Sequence, residues 1–343
     1  MQAVILAAGK STRTYPLTLT RPKPLLKAAN KTLLEHNLDN LNNIVDEAII
    51  VVGYKKNMIK NYIGNKYKNM RIKYAEQKKQ SGTGNALSAA EKYIKNEFIS
   101  LYGDDIYSME DFKNILRHKY SILTSKAERP ELFGIIVEKN KILMSIVEKP
   151  QKFVSNLVNT GLYKLDKNFF SIIKKLRKSV RSEYELTDAV NQLAKRENIY
   201  CVESKQWIPI SYAWDLLRAD KILRGNKNII GRNSKIYGNV KNSSIGDNCV
   251  IKGDVKNSII MEETIIDNGS IVEDSVIGEN VYFKGKIPAK NKVFSMINNK
   301  EIQAGMLGAI VGDNSKLFNV VIKTGCKIFP NKKIKNKNIE RDV

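Results

Sequence analysis

Aliphatic residues recur every six positions through the last third of the chain, and no other sequence feature restricts the fold as sharply. Ile259, Ile265, Ile271 and Ile277 follow one another at this interval, and Phe283 continues the series. Shorter series run from Ile230 to Ile236, Ile245 to Ile251, Val311 to Leu317, and Ile322 through Ile328 to Ile334. A helix turning every 3.6 residues cannot keep such a series on one face. A coil of short strands can, each turn stacking its aliphatic residue on the next, as in a parallel β-helix. The same turn chemistry returns in Ile245-Gly246-Asp247-Asn248, Ile277-Gly278-Glu279-Asn280 and Val311-Gly312-Asp313-Asn314. Between Lys284 and Ile310 the series breaks, and Lys292 to Ile297 is expected to form a strand or arm outside the coil. The basic tail from Asn331 onward is expected to be partly solvated.

Ahead of this region the pattern differs. Short apolar runs (Ala3 to Ala7, Glu47 to Val52, Phe98 to Tyr102, Asn159 to Tyr163) alternate with amphipathic stretches such as Leu33 to Leu41 and Thr83 to Ile94. This alternation predicts an α/β domain on a mostly parallel sheet, with ligands bound beyond the carboxyl ends of its strands. A chain of 343 residues is long for one core. Two domains are therefore expected, 1–224 and 225–343.

Composition narrows the function classes. With 42% hydrophobic and 27% charged residues the chain reads as globular. Its 58 Lys and Arg against 35 Asp and Glu give a formal charge of +23. The lysines are dispersed among Asn and Ile and not gathered into a patch, so nucleic acid is not the expected partner, whereas phosphorylated small molecules suit the positive field. Cys201, Cys249 and Cys326 lack metal-ligand spacing and read as reduced and buried. The run Ala3 to Ala8 is too short for a secretory signal or a membrane span, which predicts a cytoplasmic protein with no membrane partner.

The first strand runs into Leu6-Ala7-Ala8-Gly9-Lys10-Ser11-Thr12-Arg13, followed by Pro16-Leu17-Thr18 and Arg21-Pro22-Lys23-Pro24-Leu25-Leu26. Small residues at a strand end let backbone amides approach a phosphate chain. Arg13 offers a planar fork for phosphate oxygens, and Lys23, between prolines, a point charge. The stretch resembles the signature of the sugar-1-phosphate nucleotidylyltransferases, the family of glucose-1-phosphate thymidylyltransferase and N-acetylglucosamine-1-phosphate uridylyltransferase. The resemblance covers residues 1 to about 224, and a subset of the family also carries a C-terminal left-handed β-helix. It implies a Rossmann-like nucleotidyltransferase domain in which Leu6, Ala8 and Gly9 meet the nucleotide, while Arg13 and Lys23 hold its phosphates and act in catalysis. Ser11 departs from the pattern, since the family usually has glycine there.

Further motifs follow in the family's order. Gln77 with Gly82-Thr83-Gly84 resembles the element that reads a pyrimidine base, and an amide can pair with an imide edge by donating and accepting together. Thr83 is expected to N-cap the helix it begins. The element is closer to uridylyl than to thymidylyl members, so UTP is expected ahead of dTTP. Leu101-Tyr102-Gly103-Asp104-Asp105 ends a strand with paired acids. Family spacing makes Asp104 the Mg2+ ligand and a catalytic residue, and Asp105 a turn residue. Phe133-Gly134, Val147-Glu148-Lys149-Pro150 and Asn159-Thr160-Gly161 resemble the sugar-phosphate segments, implying contacts from Gly134, Glu148, Lys149 and Asn159. Glu183 to Asp188 reads as helix initiation and packing.

One departure bears on the metal. Around Trp207-Ile208-Pro209-Ile210-Ser211 many family members carry a second metal-binding aspartate where this chain has Pro209, leaving Asp104 with the triphosphate and water, or with Ser211 or a backbone carbonyl. The implied reaction joins a nucleoside triphosphate to glucose-1-phosphate or N-acetylglucosamine-1-phosphate and releases pyrophosphate. Two alternatives stand beside it: a second, acetyltransferase activity in the solenoid, or an inactive scaffold. Acetyl transfer in related enzymes uses a histidine on the solenoid, whereas His36 and His118 both precede it and read as structural. By resemblance, the β-helix is expected to build a homo-oligomer, a trimer or a multiple.

Overall fold

The computed structural model describes residues 1–148 and 153–343. They form two compact units, one of 1–9 with 34–209, the other of 10–33 with 210–343.

The first unit is built on a ten-stranded sheet. Its centre is parallel: Glu97–Tyr102, Gln2–Ala7, Glu47–Val52 and Met70–Glu76 lie side by side in that order. Gln2–Ala7 and Glu47–Val52 are buried along their whole length, as parallel strands covered on both faces require. Even their polar first residues are accommodated, with Gln2 Nε2 donating to Glu47 Oε1 at 2.7 Å. Beyond Glu97–Tyr102 the sheet continues antiparallel through Leu157–Asp166 and Ser121–Lys126, then with Tyr200–Glu203 parallel to Ser121–Lys126, and finally antiparallel through Ile142–Glu148 and Gly134–Lys139. Successive strands add on one side of Gln2–Ala7 and then on the other, so the order reverses between Gln2–Ala7 and Glu97–Tyr102. Open α/β sheets bind ligands at the carboxyl end of such a reversal. The helical stretch expected from Thr83 to Ile94 is shorter, with an α-helix at Thr83–Ser88 and a 3-10 turn at Glu91–Tyr93.

In the second unit the six-residue series coils into a left-handed parallel β-helix. One ladder runs Ile229–Ile230, Ser244–Ile245, Ile259–Ile260, Val276–Ile277, Ile310–Val311 and Lys327–Ile328. The inward column differs from the one the isoleucines suggested. Ile260, Ile266 and Val272 line the core with Ile277 and Phe283, while Ile265 and Ile271 are only half-buried. The doublets Ile259-Ile260, Ile265-Ile266 and Ile271-Val272 satisfy two registers, and a one-residue shift exchanges the faces. Ile230 and Ile236, in the first coil, are exposed.

The interruption is a hairpin, Lys290–Ile297 with Lys300–Leu307, whose inner residues Val293, Ser295 and Ile297 are buried. The basic tail forms a further rung: Lys333–Ile339 pairs with Lys316–Ile322, burying Ile339 and leaving Lys333, Lys335 and Lys337 outside. All three cysteines are free and buried. No helix among the described residues is long and apolar enough to cross a membrane.

Candidate active site

At the strand-order reversal, Leu6, Ala7, Ala8 and Gly9 leave one strand beside Tyr102, Gly103 and Asp104, which leave the next. The Gly103 amide donates to the Leu6 carbonyl at 2.9 Å. The Ala8 carbonyl accepts from the Tyr54 amide at 3.0 Å and from Gln80 Nε2 at 2.9 Å, so the loop backbone is held from two sides. Asp105 is buried and committed to the scaffold, its Oδ2 accepting from Trp207 Nε1 at 3.1 Å and its carbonyl from Asn37 at 2.7 Å. Asp104 is the more accessible acid of the pair. No group of three or more His, Cys, Asp or Glu side chains able to hold a metal occurs among the described residues.

The base element is rearranged relative to expectation. Both amide hydrogens of Gln77 are engaged, by the Gly82 carbonyl and by Asn85 Oδ1, each at 3.0 Å. Its carbonyl oxygen takes part in neither bond. Thr83 is not an N-cap. Gly82 holds that position, and Thr83 Oγ1 accepts from the Leu186 amide at 3.0 Å, at the start of helix Leu186–Ala194. The Gly84 amide donates to the Tyr184 carbonyl, and the Tyr184 amide to the Ser81 carbonyl, each at 2.8 Å. Glu183 to Asp188 thus supports the base element. Glu185 and Asp188 are both pushed above the ordinary carboxylate range, first by burial.

The sugar-segment residues gather around two tyrosines. Gly134 pairs with Glu148 across adjacent strands. Asn159 is buried, its Nδ2 donating to the Tyr163 hydroxyl at 2.6 Å and its Oδ1 accepting from the Gly161 amide at 2.9 Å. Tyr163 also bonds Tyr102, and burial holds both phenols far above their ordinary pKa. Glu148 Oε2 stands 3.5 Å from Arg181, which also pairs with Glu185 at 2.8 Å. Lys149 lies outside the described residues. Tyr102 and Tyr163 were missed because in sequence they are ordinary strand aromatics. Their spacing from Gly103 and Asn159 was the only signal.

Arg13 and Lys23 belong to the second unit, in a segment of three 3-10 turns: Thr12–Thr14, Leu17–Leu19 and Lys23–Leu25. Ser11 is left-handed at φ 52°, which explains why glycine suits that position. Thr14 and Thr18 both donate to its carbonyl at 2.8 Å. The exposed Arg13 guanidinium lies 5.8 Å from the centre of the Tyr212 ring, itself stacked on Trp214. Lys23 is buried. Asp215 accepts from the Ser211 and Tyr212 amides at 2.7 and 2.8 Å. Burial pushes its carboxyl up against those amides and the charges of Arg218 and Lys23. Of the histidines, His118 stacks on Tyr200 at 3.8 Å and His36 lies within helix Leu33–Leu41.

The small-residue loop thus lies at the switch point of a Rossmann-like sheet, beside the strand end that leads into Asp104. Residues 2–224 match the nucleotidyl transferase family model, and residues 219–343 the GMPPB C-terminal domain. Bifunctional protein GlmU of Methanocaldococcus jannaschii is 36% identical over 382 aligned positions, spanning 96% of this chain and 92% of the relative. The bifunctional sugar-1-phosphate nucleotidylyltransferase/acetyltransferase of Sulfurisphaera tokodaii is 31% identical, spanning 96% and 94%. A crystal structure from Bacillus anthracis assigned as a glucose-1-phosphate thymidylyltransferase superposes with a TM-score of 0.60 at 28% identity, over 66% of this chain and 97% of that one. The chain belongs to the sugar-1-phosphate nucleotidylyltransferase family. Enzymes of this family take a nucleoside triphosphate and a sugar-1-phosphate and generally depend on a divalent metal.

Proposed function

We propose that the chain transfers a uridylyl or thymidylyl group from UTP or dTTP to glucose-1-phosphate or N-acetylglucosamine-1-phosphate, releasing pyrophosphate. The observation that carries this reading is the bond from the Gly103 amide to the Leu6 carbonyl at the strand-order reversal, which sets the strand end leading into Ala8 and Gly9 beside the one leading into Asp104. In the proposed assignment Leu6, Ala8 and Gly9 contact the nucleotide, and Gln77 Oε1 accepts from the N–H of the base imide beside Gly82 and Thr83. Gly134, Glu148, Lys149 and Asn159 address the sugar phosphate.

A sugar-phosphate oxygen attacks the α-phosphorus in line, and the bond to the pyrophosphate oxygen breaks. No protein nucleophile is required. Arg13 and Lys23 orient the phosphates and meet charge that spreads in the transition state. A single hard carboxylate, Asp104, suits Mg2+ held largely by phosphate oxygens and water, and does not form a cage by itself. When bound, the ion would neutralise charge on the triphosphate. We further assign nucleotidyl transfer to 1–224 and homo-oligomer assembly, as a trimer or a multiple, to the β-helix of 225–343.

Acetyl transfer is the second reading, favoured by the bifunctional names of both relatives. Against it, neither histidine lies in the solenoid. One assay separates the readings: the purified chain with Mg2+, each nucleoside triphosphate and a panel of sugar-1-phosphates, followed by pyrophosphate release. Turnover that Asp104→Ala abolishes is the expected result. No turnover with any pair would refute the proposal, and thiol release from acetyl-coenzyme A would establish the second activity.

A further inference from the structure

The turn motif of the β-helix carries an acid in four of its six aligned turns, although the turn can form without one. Six turns align as Ile230-Gly231-Arg232-Asn233, Ile245-Gly246-Asp247-Asn248, Ile260-Met261-Glu262-Glu263, Ile277-Gly278-Glu279-Asn280, Val311-Gly312-Asp313-Asn314 and Ile328-Phe329-Pro330-Asn331. The fourth residue of each has positive φ, between 52° and 65°, which accounts for the asparagines. The third position tolerates Arg232 and Pro330, so an acid there is no requirement of the turn. Yet Asp247, Glu262, Glu279 and Asp313 occupy it in four successive coils.

Three of these acids face the segment that holds Lys23, within the same compact unit. Arg21 is buried and donates to both Glu279 and Asp313. Thr20 Oγ1 donates to Asp313 Oδ2 at 2.5 Å, and Lys27 pairs with Glu262. The other oxygen of Asp313 accepts from the Glu279 amide at 2.8 Å, a contact for which Gly278 leaves room, since a Cβ there would stand 2.3 Å from it. Buried ion pairs are poor net stabilisers, because desolvation offsets their attraction. Here Arg21 Nε and Glu262 Oε2 are also buried without a hydrogen-bond partner among the described residues. What the arrangement supplies is geometry, fixing the backbone two residues before Lys23 and four residues after it.

We infer that Glu262, Glu279 and Asp313 form a positioning ladder for nucleotidyl transfer, through which the solenoid fixes the backbone that carries Lys23. The inference rests on the phosphate role assigned to Lys23 above.

Asp313→Asn and Glu279→Gln test it, with Asp247→Asn as control, whose partner Arg232 lies in the coil. Asp313→Asn keeps an oxygen for the Glu279 amide. The expected result is a fall in kcat/KM for the nucleoside triphosphate of roughly ten- to a hundredfold in both test variants, with KM for the sugar phosphate and the control unchanged. Hydrogen exchange at the Leu25 and Leu26 amides should rise while the coil stays protected. Unchanged nucleotide kinetics beside an active wild type overturns the ladder alone, as does a uniform loss for both substrates accompanied by a lower Tm. A wild type that turns over no pair overturns the nucleotidyl reading and the ladder with it.

Discussion

Gly161 lies against the ring of Tyr102: a Cβ built on it would stand 2.1 Å from Cδ2 and 2.3 Å from Cε2. Its φ of 81° is also one that only glycine adopts at little cost. The glycine is therefore required twice, once by conformation and once by the aromatic that bonds Tyr163 beneath Asn159.

Gly161→Ala should cost about 2–4 kcal/mol, of which roughly 1 kcal/mol is conformational and the rest steric. In a Tyr102→Leu background the steric part should shrink, so the two substitutions should be non-additive by about 1 kcal/mol or more. Urea unfolding of the four chains measures the cycle, and additive values would disprove the contact.

The Thr83 hydroxyl serves a different helix from the one the residue begins. Thr83→Val leaves the Leu186 amide without its acceptor and should destabilise by about 1–2 kcal/mol, whereas Thr83→Ser should be near neutral. Thermal melts of both variants decide this. An N-cap role would predict instead that exchange protection is lost first in Thr83–Ser88, and not at Leu186.

The strand ends at the switch point and the coil could be read from the sequence because local patterns specify them: continuous apolar runs, small residues at a strand end, and a six-residue period. The inward register of the coil could not, since each Ile-Ile or Ile-Val doublet offers both faces an aliphatic residue. Nor could the grouping of 10–33 with the β-helix, for Arg21 meets Asp313 across 292 positions and no local pattern encodes that. The Gly-acid-Asn turns were visible, but only the fold shows that the asparagine answers to φ while the acid answers to Arg21 and Lys27. Gln77 was placed in the base element by spacing, whereas its donor use depended on Asn85, a residue with no motif of its own.

Glu47 sets an acid limit on stability. Burial alone would raise its carboxyl, yet hydrogen bonds from Lys73 and Gln2 outweigh that and leave it below the ordinary glutamate value. A carboxyl with a depressed folded pKa adds stability above its unfolded value of about 4.3, and the gain is lost as pH falls through the folded one. Glu47→Gln should therefore lower Tm at pH 7 and converge on the wild type in strongly acidic buffer. A difference in Tm that is constant with pH would mean that packing, and not charge, is at work.

Pro209 offers the sharpest test of the metal assignment. The short ladder pairs Trp207 with Tyr107 and Ile208 with Ile106, and its antiparallel register carries position 209 to the level of 105, adjacent to Asp104. An aspartate introduced there would bring a second hard oxygen donor to the end of the strand that bears the first, and Mg2+ takes one or two carboxylates beside substrate phosphates. Pro209→Asp is expected to lower the half-saturating Mg2+ concentration roughly three- to tenfold, most visibly when nucleotide is subsaturating. The same substitution in an Asp104→Ala chain should restore part of the lost metal dependence. An unchanged Mg2+ titration in a folded Pro209→Asp enzyme would show that the ion is held away from this strand end, and that the site does not rest on Asp104.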